Sequence, residues 1–262
     1  MKGKTKIDLN SDVGESFGAY RIGLDEEVIP LISSANIGCG FHGGDPSVMR
    51  QTIALAQEHG VALGAHPGFP DLIGFGRRKI DATLEEIRDY VTYQIGALQA
   101  FATMQNLKLQ HVKAHGALYN MAEQDVRIWE AIAQVIAGID RQLILVAIAG
   151  PMREEVKQIG KRYGICVAFE FFADRAYNRD GSLVSRREPG AVIHDPQQAA
   201  ERVLKMVTEK RIVTKDGAEI EVMADTICVH GDNPAAVRLT KQIRESLISS
   251  GVEVVPMGKF LQ

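Results

Sequence analysis

Eight short apolar runs, several rich in β-branched residues, alternate with helix signals along the whole chain. They lie near residues 6–10, 34–38, 61–65, 109–113, 143–147, 165–170, 226–229 and 252–255. Runs this short, flanked by helices, suit a parallel sheet covered on both faces. The helix starts are explicit. Asp45-Pro46, Asp195-Pro196 and Asn233-Pro234 each put a capping side chain before a proline at the first helical position, and Gly60 stops the first of these helices. Thr83 with Glu86 forms a capping box opening a long helix toward Asn106. Two segments break the rhythm: a hairpin over residues 211–222 turning at Asp216-Gly217, and a charged loop from Ala173 to His194. With no linker or low-complexity tract, residues 1–262 are expected to form a single α/β domain.

Polar residues gather where the runs end. Ile7–Leu9 leads into Asn10, Asp12 and Glu15; residues 35–37 into Cys39 and His42; residues 61–65 into His66; Val112 into Lys113 and His115; residues 167–169 into Glu170, Asp174 and Arg175; residues 227–229 into His230 and Asp232. The carboxyl ends of parallel strands open on one face, where active sites of such folds sit. Six loaded strand ends predict one composite site.

The bulk numbers exclude some partners. A net charge of -3 without a long basic run argues against a nucleic-acid footprint. Arg77-Arg78-Lys79 and Arg186-Arg187 are too short for one. No apolar run approaches the ~18 residues that span a bilayer. Three cysteines without a C-x-x-C pair fit a reducing compartment, and Asp8, Asp12 and Glu15 interrupt any leader-like stretch, so a cytoplasmic enzyme is expected.

Individual motifs carry both bland and chemical readings. Alternation puts Asp8, Asn10 and Asp12 on one side of the first strand, where they can serve as acid, base or metal ligand, or simply cap a turn. The glycine-rich stretch from Asn36 to Pro46 runs into a helix and could cradle an anion, although it is no Walker loop. Cys39 is a candidate nucleophile, but a small buried thiol is the simpler reading; Cys166 and Cys228 read as core. Arg77-Arg78 suits carboxylate or phosphate binding, or is a solvated pair. Lys113 ends an apolar run, where lysine is costly unless paired. His111 and His59 read as ordinary, and His230 with Asp232 either orients a base or caps a helix.

Seven strings in order, DLNSDVGE at Asp8, SANIGCGFHGGDP at Ser33, GAHPGFPD at Gly64, GFGRR at Gly74, HVKAHGALYN at His111, FADRAY at Phe172 and CVHGDNP at Cys228, resemble the LamB/YcsF family over nearly the whole chain. Ser11 stands where members commonly have Cys, Ala114 where Pro is common and Gly43 where Ala is common; none removes an ionisable candidate. The resemblance implies a distorted seven-stranded (β/α) barrel of the glycoside hydrolase/deacetylase type. It also implies one component of an ATP-dependent 5-oxoprolinase, opening 5-oxo-L-proline to L-glutamate with subunits B and C (PxpB, PxpC). ATP would be a co-substrate. Phosphorylation of the amide oxygen would give an imidate open to water, which requires anion holders, a base and an acid. Asp12, His42, His66, Lys113, His115, Glu170 and His230 are then the catalytic candidates. Asn10, Asn36, Arg77, Tyr119, Asp174, Arg175 and Asp232 are the substrate-binding ones, without individual roles. The rival reading is a metal-dependent amide or carbohydrate deacetylase, with a divalent ion on Asp12, His42 and His66. A homo-oligomer stays open.

Overall fold

Seven of the eight apolar runs close into one parallel barrel. The computed structural model describes residues 4–231 and 233–261. In chain order the elements are β1 (Lys6–Val13), α1 (Asp25–Val28), β2 (Ser34–Gly38), α2 (Pro46–Glu58), β3 (Ala62–His66), α3 (Leu84–Met104), β4 (Leu109–Lys113), α4 (Gly116–Ala122), α5 (Val126–Ile139), β5 (Ile144–Ile148), α6 (Arg153–Tyr163), β6 (Val167–Phe172), α7 (Pro196–Glu209), β7 (Arg211–Val213), β8 (Glu219–Glu221), β9 (Thr226–Val229), α8 (Pro234–Ser249) and β10 (Glu253–Val254). The order β1-β2-β3-β4-β5-β6-β9 closes through pairing of β1 with β9.

The caps act as the sequence predicts. Asp45 accepts from the amides of Ser47 and Val48, Asp195 from Gln198, and Asn233 from Ala235 and Ala236. Thr83 and Glu86 form the reciprocal capping box. β7 and β8 make the hairpin, with Gly217 at φ 85° in its turn.

Two irregularities distort the barrel. The β3–β4 register shifts between Leu63 and Gly64, leaving Gln110 without a cross-strand partner. The eighth run, β10, stays outside the ring and pairs with Lys6 and Ile7. The carbonyls of Thr5, Ile7 and Leu9 share one side of β1; the first two accept from the amides of Glu253 and Val255, the third from Ser33. β10 therefore continues the line of β2 along the stretch of β1 that β2 does not reach. Below, Met257 packs on Ile144, Val146 and Ala168 and closes the lower end with apolar surface. Among the described residues, no helix is long and apolar enough to cross a membrane.

Candidate active site

Alternation along each strand sends every second side chain into the barrel. On β1 these are Asp8, Asn10 and Asp12, all on one face as the sequence predicts. Asn10 and Asn36, expected to bind substrate, lie fully buried beneath the cavity. Their amides act as supports: Asn36 Nδ2 donates to Asn10 Oδ1 (2.7 Å) and Asp12 Oδ1 (2.8 Å), and Asn36 Oδ1 meets His111 Nε2 at 2.7 Å.

Lys113, at the end of β4, is the centre of the site. Its Nζ lies 3.0 Å from Asp12 Oδ1, 2.8 Å from Glu170 Oε1, and 3.3 Å from both Asn10 Oδ1 and Cys228 Sγ. Burial works against its charge, but Asp12, Cys228 and Glu170 raise it well above the usual lysine value. Cys228 is buried in a strand, as its sequence context suggests, yet it touches this ammonium. Burial likewise penalises ionised Asp12, and His66 and Lys113 outweigh it, holding the carboxyl well below the ordinary range. Tyr119 donates to Glu170 Oε2 at 3.2 Å, and burial keeps its phenol protonated.

Beside this triad three imidazoles and a carboxylate converge. His66 Nδ1 lies 2.7 Å from the Lys113 carbonyl, and His115 Nε2 lies 2.8 Å from the Phe75 carbonyl. A carbonyl only accepts, so both nitrogens carry hydrogen. The opposite nitrogens, His66 Nε2 and His115 Nδ1, then face each other at 3.0 Å, with Glu15 Oε1 3.3 Å from the latter. Burial lowers His115 to about 3, with His42 and His66 adding to it. Burial also disfavours a charged His66, yet Asp12 and Glu15 raise it, so His66 carries the proton between the two rings. His42 stacks on His115 with ring centroids 3.6 Å apart and meets Glu15 Oε1 at 2.9 Å. Glu15 was visible in the sequence but not singled out for the site. The signal is Gly14, whose φ of 65° turns the chain so that the residue after it re-enters the barrel mouth.

A cavity of ≈ 340 Å³ opens above these groups. Asp12, Glu15, His66, Lys113, His115 and His230 line it from below, and Arg77, Arg175 and Arg186 are among its walls. His42 stands behind His115 and does not line it. Asp174, expected at the substrate, meets His230 Nδ1 at 2.9 Å. Arg175 is buried, donates Nη2 to the Val184 carbonyl and leaves Nε without a partner. Arg186, read from sequence only as part of a short basic spot, comes in on the charged 173–194 loop. Asp232 lies outside the described residues.

Two expectations are corrected, and one is met. Arg77 and Arg78 do not act as a pair: Arg78 is tied to Asp71, and only Arg77 reaches the cavity. The glycine-rich loop is no anion cradle. A Cβ on Gly43 would come within 2.5 Å of the Glu15 carbonyl oxygen, so glycine permits the close approach of two chains; the following helix end is already occupied by Asp45. Cys39 is the small buried thiol that the simpler reading expects: it donates to the Ile37 carbonyl and burial pushes it up to about 12, which sets the nucleophile reading aside.

The described residues hold two groupings that could bind a metal ion: Glu15, His42, His66 and His115, and Asp12, Cys228 and His230. In the second, Lys113 already occupies Asp12 and Cys228, while Asp174 holds His230.

A family model described as the LamB/YcsF family matches residues 7–262. Proteins named as the A subunit of 5-oxoprolinase, from Thermococcus onnurineus and Pyrococcus furiosus, are 54% and 53% identical to it over 257 residues, covering 98% of this chain and 100% of each relative. A lactam utilization protein from Thermus thermophilus, known by crystal structure, superposes with a TM-score of 0.90 at 47% identity, over 95% of this chain and 99% of that one.

Proposed function

This chain belongs to the LamB/YcsF family, and on that premise we propose that it serves as the A subunit of an ATP-dependent 5-oxoprolinase. It is a hydrolase acting on a cyclic amide, working with partner subunits of the B and C types. The names of relatives at about half identity favour a lactam over the deacetylase reading.

The observation that carries the reading is the buried ammonium of Lys113 between Asp12 and Glu170, on the floor of a small cavity walled by Arg77, Arg175 and Arg186. 5-Oxo-L-proline is a small anion with an amide that resists water. Its carboxylate suits the arginine wall, and a volume of ≈ 340 Å³ lies at the small end of ligand pockets. We assign the ATP chemistry to the partner subunits; this chain has no Walker loop, so a nucleotide bound here would have to be held some other way.

The activated lactam is then opened here. Water adds to the ring carbon of the phosphorylated imidate, the nitrogen takes a proton and the C–N bond breaks to free the amine; the acyl phosphate so formed is hydrolysed by a second water to the carboxylate and inorganic phosphate. Asp12 and His66 manage the proton of water, since Asp12 is held ionised and its Oδ2 lies 3.4 Å from His66 Nε2. Lys113 stabilises the negative charge of the phosphoryl-bearing oxygen, and Glu170 with Tyr119 fixes the lysine. His230, oriented by Asp174, protonates the nitrogen. His115 and His42 position Glu15 and His66. Mixing separately purified subunits with each omitted in turn tests the assignment. Glutamate release should vanish without this chain and be marginal with it alone; robust ATP-dependent release by this chain alone overturns the division of labour.

A further inference from the structure

The geometry points to a three-ligand site for one first-row divalent cation of the zinc class, formed by Glu15 Oε1, His66 Nε2 and His115 Nδ1 and open toward the cavity. This rests on the reading of the barrel mouth as the catalytic face and adds a binding site to it: the ion takes the place of the proton between His66 Nε2 and His115 Nδ1, and in the loaded site Asp12 alone handles the proton of water. Three features carry it. First, the spacing is right. The three atoms are separated by 3.0 Å (His66–His115), 3.3 Å (Glu15–His115) and 3.9 Å (Glu15–His66). Ligands about 2.0–2.1 Å from a tetrahedral ion lie about 3.3 Å from one another.

Second, the tautomers are fixed from outside. The far nitrogen of each ring donates to a backbone carbonyl, Lys113 for His66 and Phe75 for His115. That is the outer hydrogen bond metal-bound imidazoles use to aim a lone pair inward. Third, the rings of His66 and His115 stand at 89°, so an ion can lie in both ring planes at once. His42 fails this requirement. Its ring is parallel to that of His115 within 1°, at 3.6 Å between centroids, so one ion cannot lie in both planes. His42 is therefore a positioning residue: its Nε2 meets Glu15 Oε1 at 2.9 Å and holds the carboxylate in place. Asp12 is not a ligand either: its Oδ1 is bound by Lys113 and Asn36, and its carboxylate falls outside the group of donors that lie within reach of one another around Glu15, His66 and His115.

All three ligands line the cavity and His42 does not, which leaves the fourth coordination position facing the substrate space. Three protein ligands with an open position mark catalytic rather than structural zinc sites. Such an ion would supply Lewis-acid polarisation of an oxygen in the cavity. One carboxylate and two imidazoles select a transition cation over calcium or magnesium.

The test uses this chain alone and no lactam, so its failure leaves the 5-oxoprolinase assignment standing, and the reverse. Chelator-treated protein is titrated with Zn²⁺ by calorimetry and with Co²⁺ by absorption. One ion per chain is expected, with Co²⁺ ligand-field bands of a low-coordinate site. His42→Ala should weaken binding within the ~10–100-fold worth of an outer-shell partner and keep the shape of the Co²⁺ spectrum. Glu15→Gln, His66→Gln and His115→Gln should weaken it further and change or abolish the spectrum. His59→Ala, on an exposed helix end, should bind as wild type does. Circular dichroism confirms that each variant is folded, and His115→Ala substitutes for any glutamine variant that is not. Absence of a stoichiometric ion in folded wild type overturns the proposal. So does binding that survives Glu15→Gln and His115→Gln, which would place the ion elsewhere.

Discussion

Asp8 and Asp12 sit on the same strand and the same face, yet they inhabit opposite electrostatic worlds. Asp8, deep in the barrel, accepts from the hydroxyls of Ser33 (2.7 Å), Ser34 (2.6 Å) and Thr226. Burial pushes its carboxyl up to about 6 despite those bonds. Asp12, at the mouth, faces Lys113 and His66 and is held well below the ordinary range although buried surroundings oppose it. Asn10 joins the two levels, donating to Thr226 below (2.6 Å) and receiving Lys113 above (3.3 Å). Buried polarity alone therefore does not mark a site. A floor built of hydroxyls specifies the barrel, whereas a mouth built of compensated charges that reach a cavity can do chemistry.

The sharpest way to break this contrast is Lys113→Met. It removes the charge that serves two carboxylates, so turnover in the reconstituted complex should fall on the order of 10²–10³-fold. The same change leaves Asp12 and Glu170 buried without their cation, which costs about 3–5 kcal/mol of stability and should lower Tm visibly. Adding Asp12→Asn to Lys113→Met should cost far less than the product of the two single effects, because the pair acts as a unit. Near-normal turnover in Lys113→Met would move the chemistry away from the mouth.

Both levels were legible to different depths. Alternation put Asp8, Asn10 and Asp12 on one face, and the run-and-helix rhythm with its caps located all seven barrel strands. What alternation could not convey is depth: Asn10 and Asn36 look like site residues until the closed barrel shows them beneath the cavity. Glu15 escaped because its placement depends on a left-handed backbone at Gly14, a local conformation and not a periodicity. The separation of Arg77 from Arg78 depended on Asp71, a partner seven positions away in a loop with no regular geometry. The glycine-rich loop misled for a related reason. Glycine allows both an anion and a second backbone to come close, and only packing against Glu15 distinguishes them.

A smaller effect separates the cavity wall from its floor. Arg186→Ala, on the exposed side of the cavity, should raise KM about 10-fold or more while leaving kcat nearly intact, since one charged hydrogen bond to a ligand is worth ~1.5–3 kcal/mol. A fall in kcat with unchanged KM would instead assign this arginine to the reacting centre. Smaller again is Cys39→Ser. The buried thiol only donates to the Ile37 carbonyl, so turnover should stay within a few-fold of wild type. A loss of ~10⁴-fold, the scale of a missing nucleophile, would install covalent catalysis.

The smallest effect on turnover is expected at the floor itself. Asp8→Asn should leave rate nearly unchanged and alter only how stability depends on pH. The carboxyl titrates near 6 in the folded protein against an ordinary 3.8, so the folded state holds this proton more tightly than the unfolded chain does. The contribution is fully present below about pH 4 and is lost as pH rises through about 6. The asparagine variant lacks it, so its Tm should fall less than that of wild type between pH 4 and pH 7. The difference should be about 2–3 kcal/mol, or roughly 4–12 °C. Asp25, also pushed up to about 6 by burial, contributes a slope of the same sign in both proteins and cancels in the comparison. If the two pH profiles of Tm run parallel, Asp8 does not titrate there; if Asp8→Asn instead cuts turnover as Lys113→Met does, floor and mouth are one machine and the division between them fails.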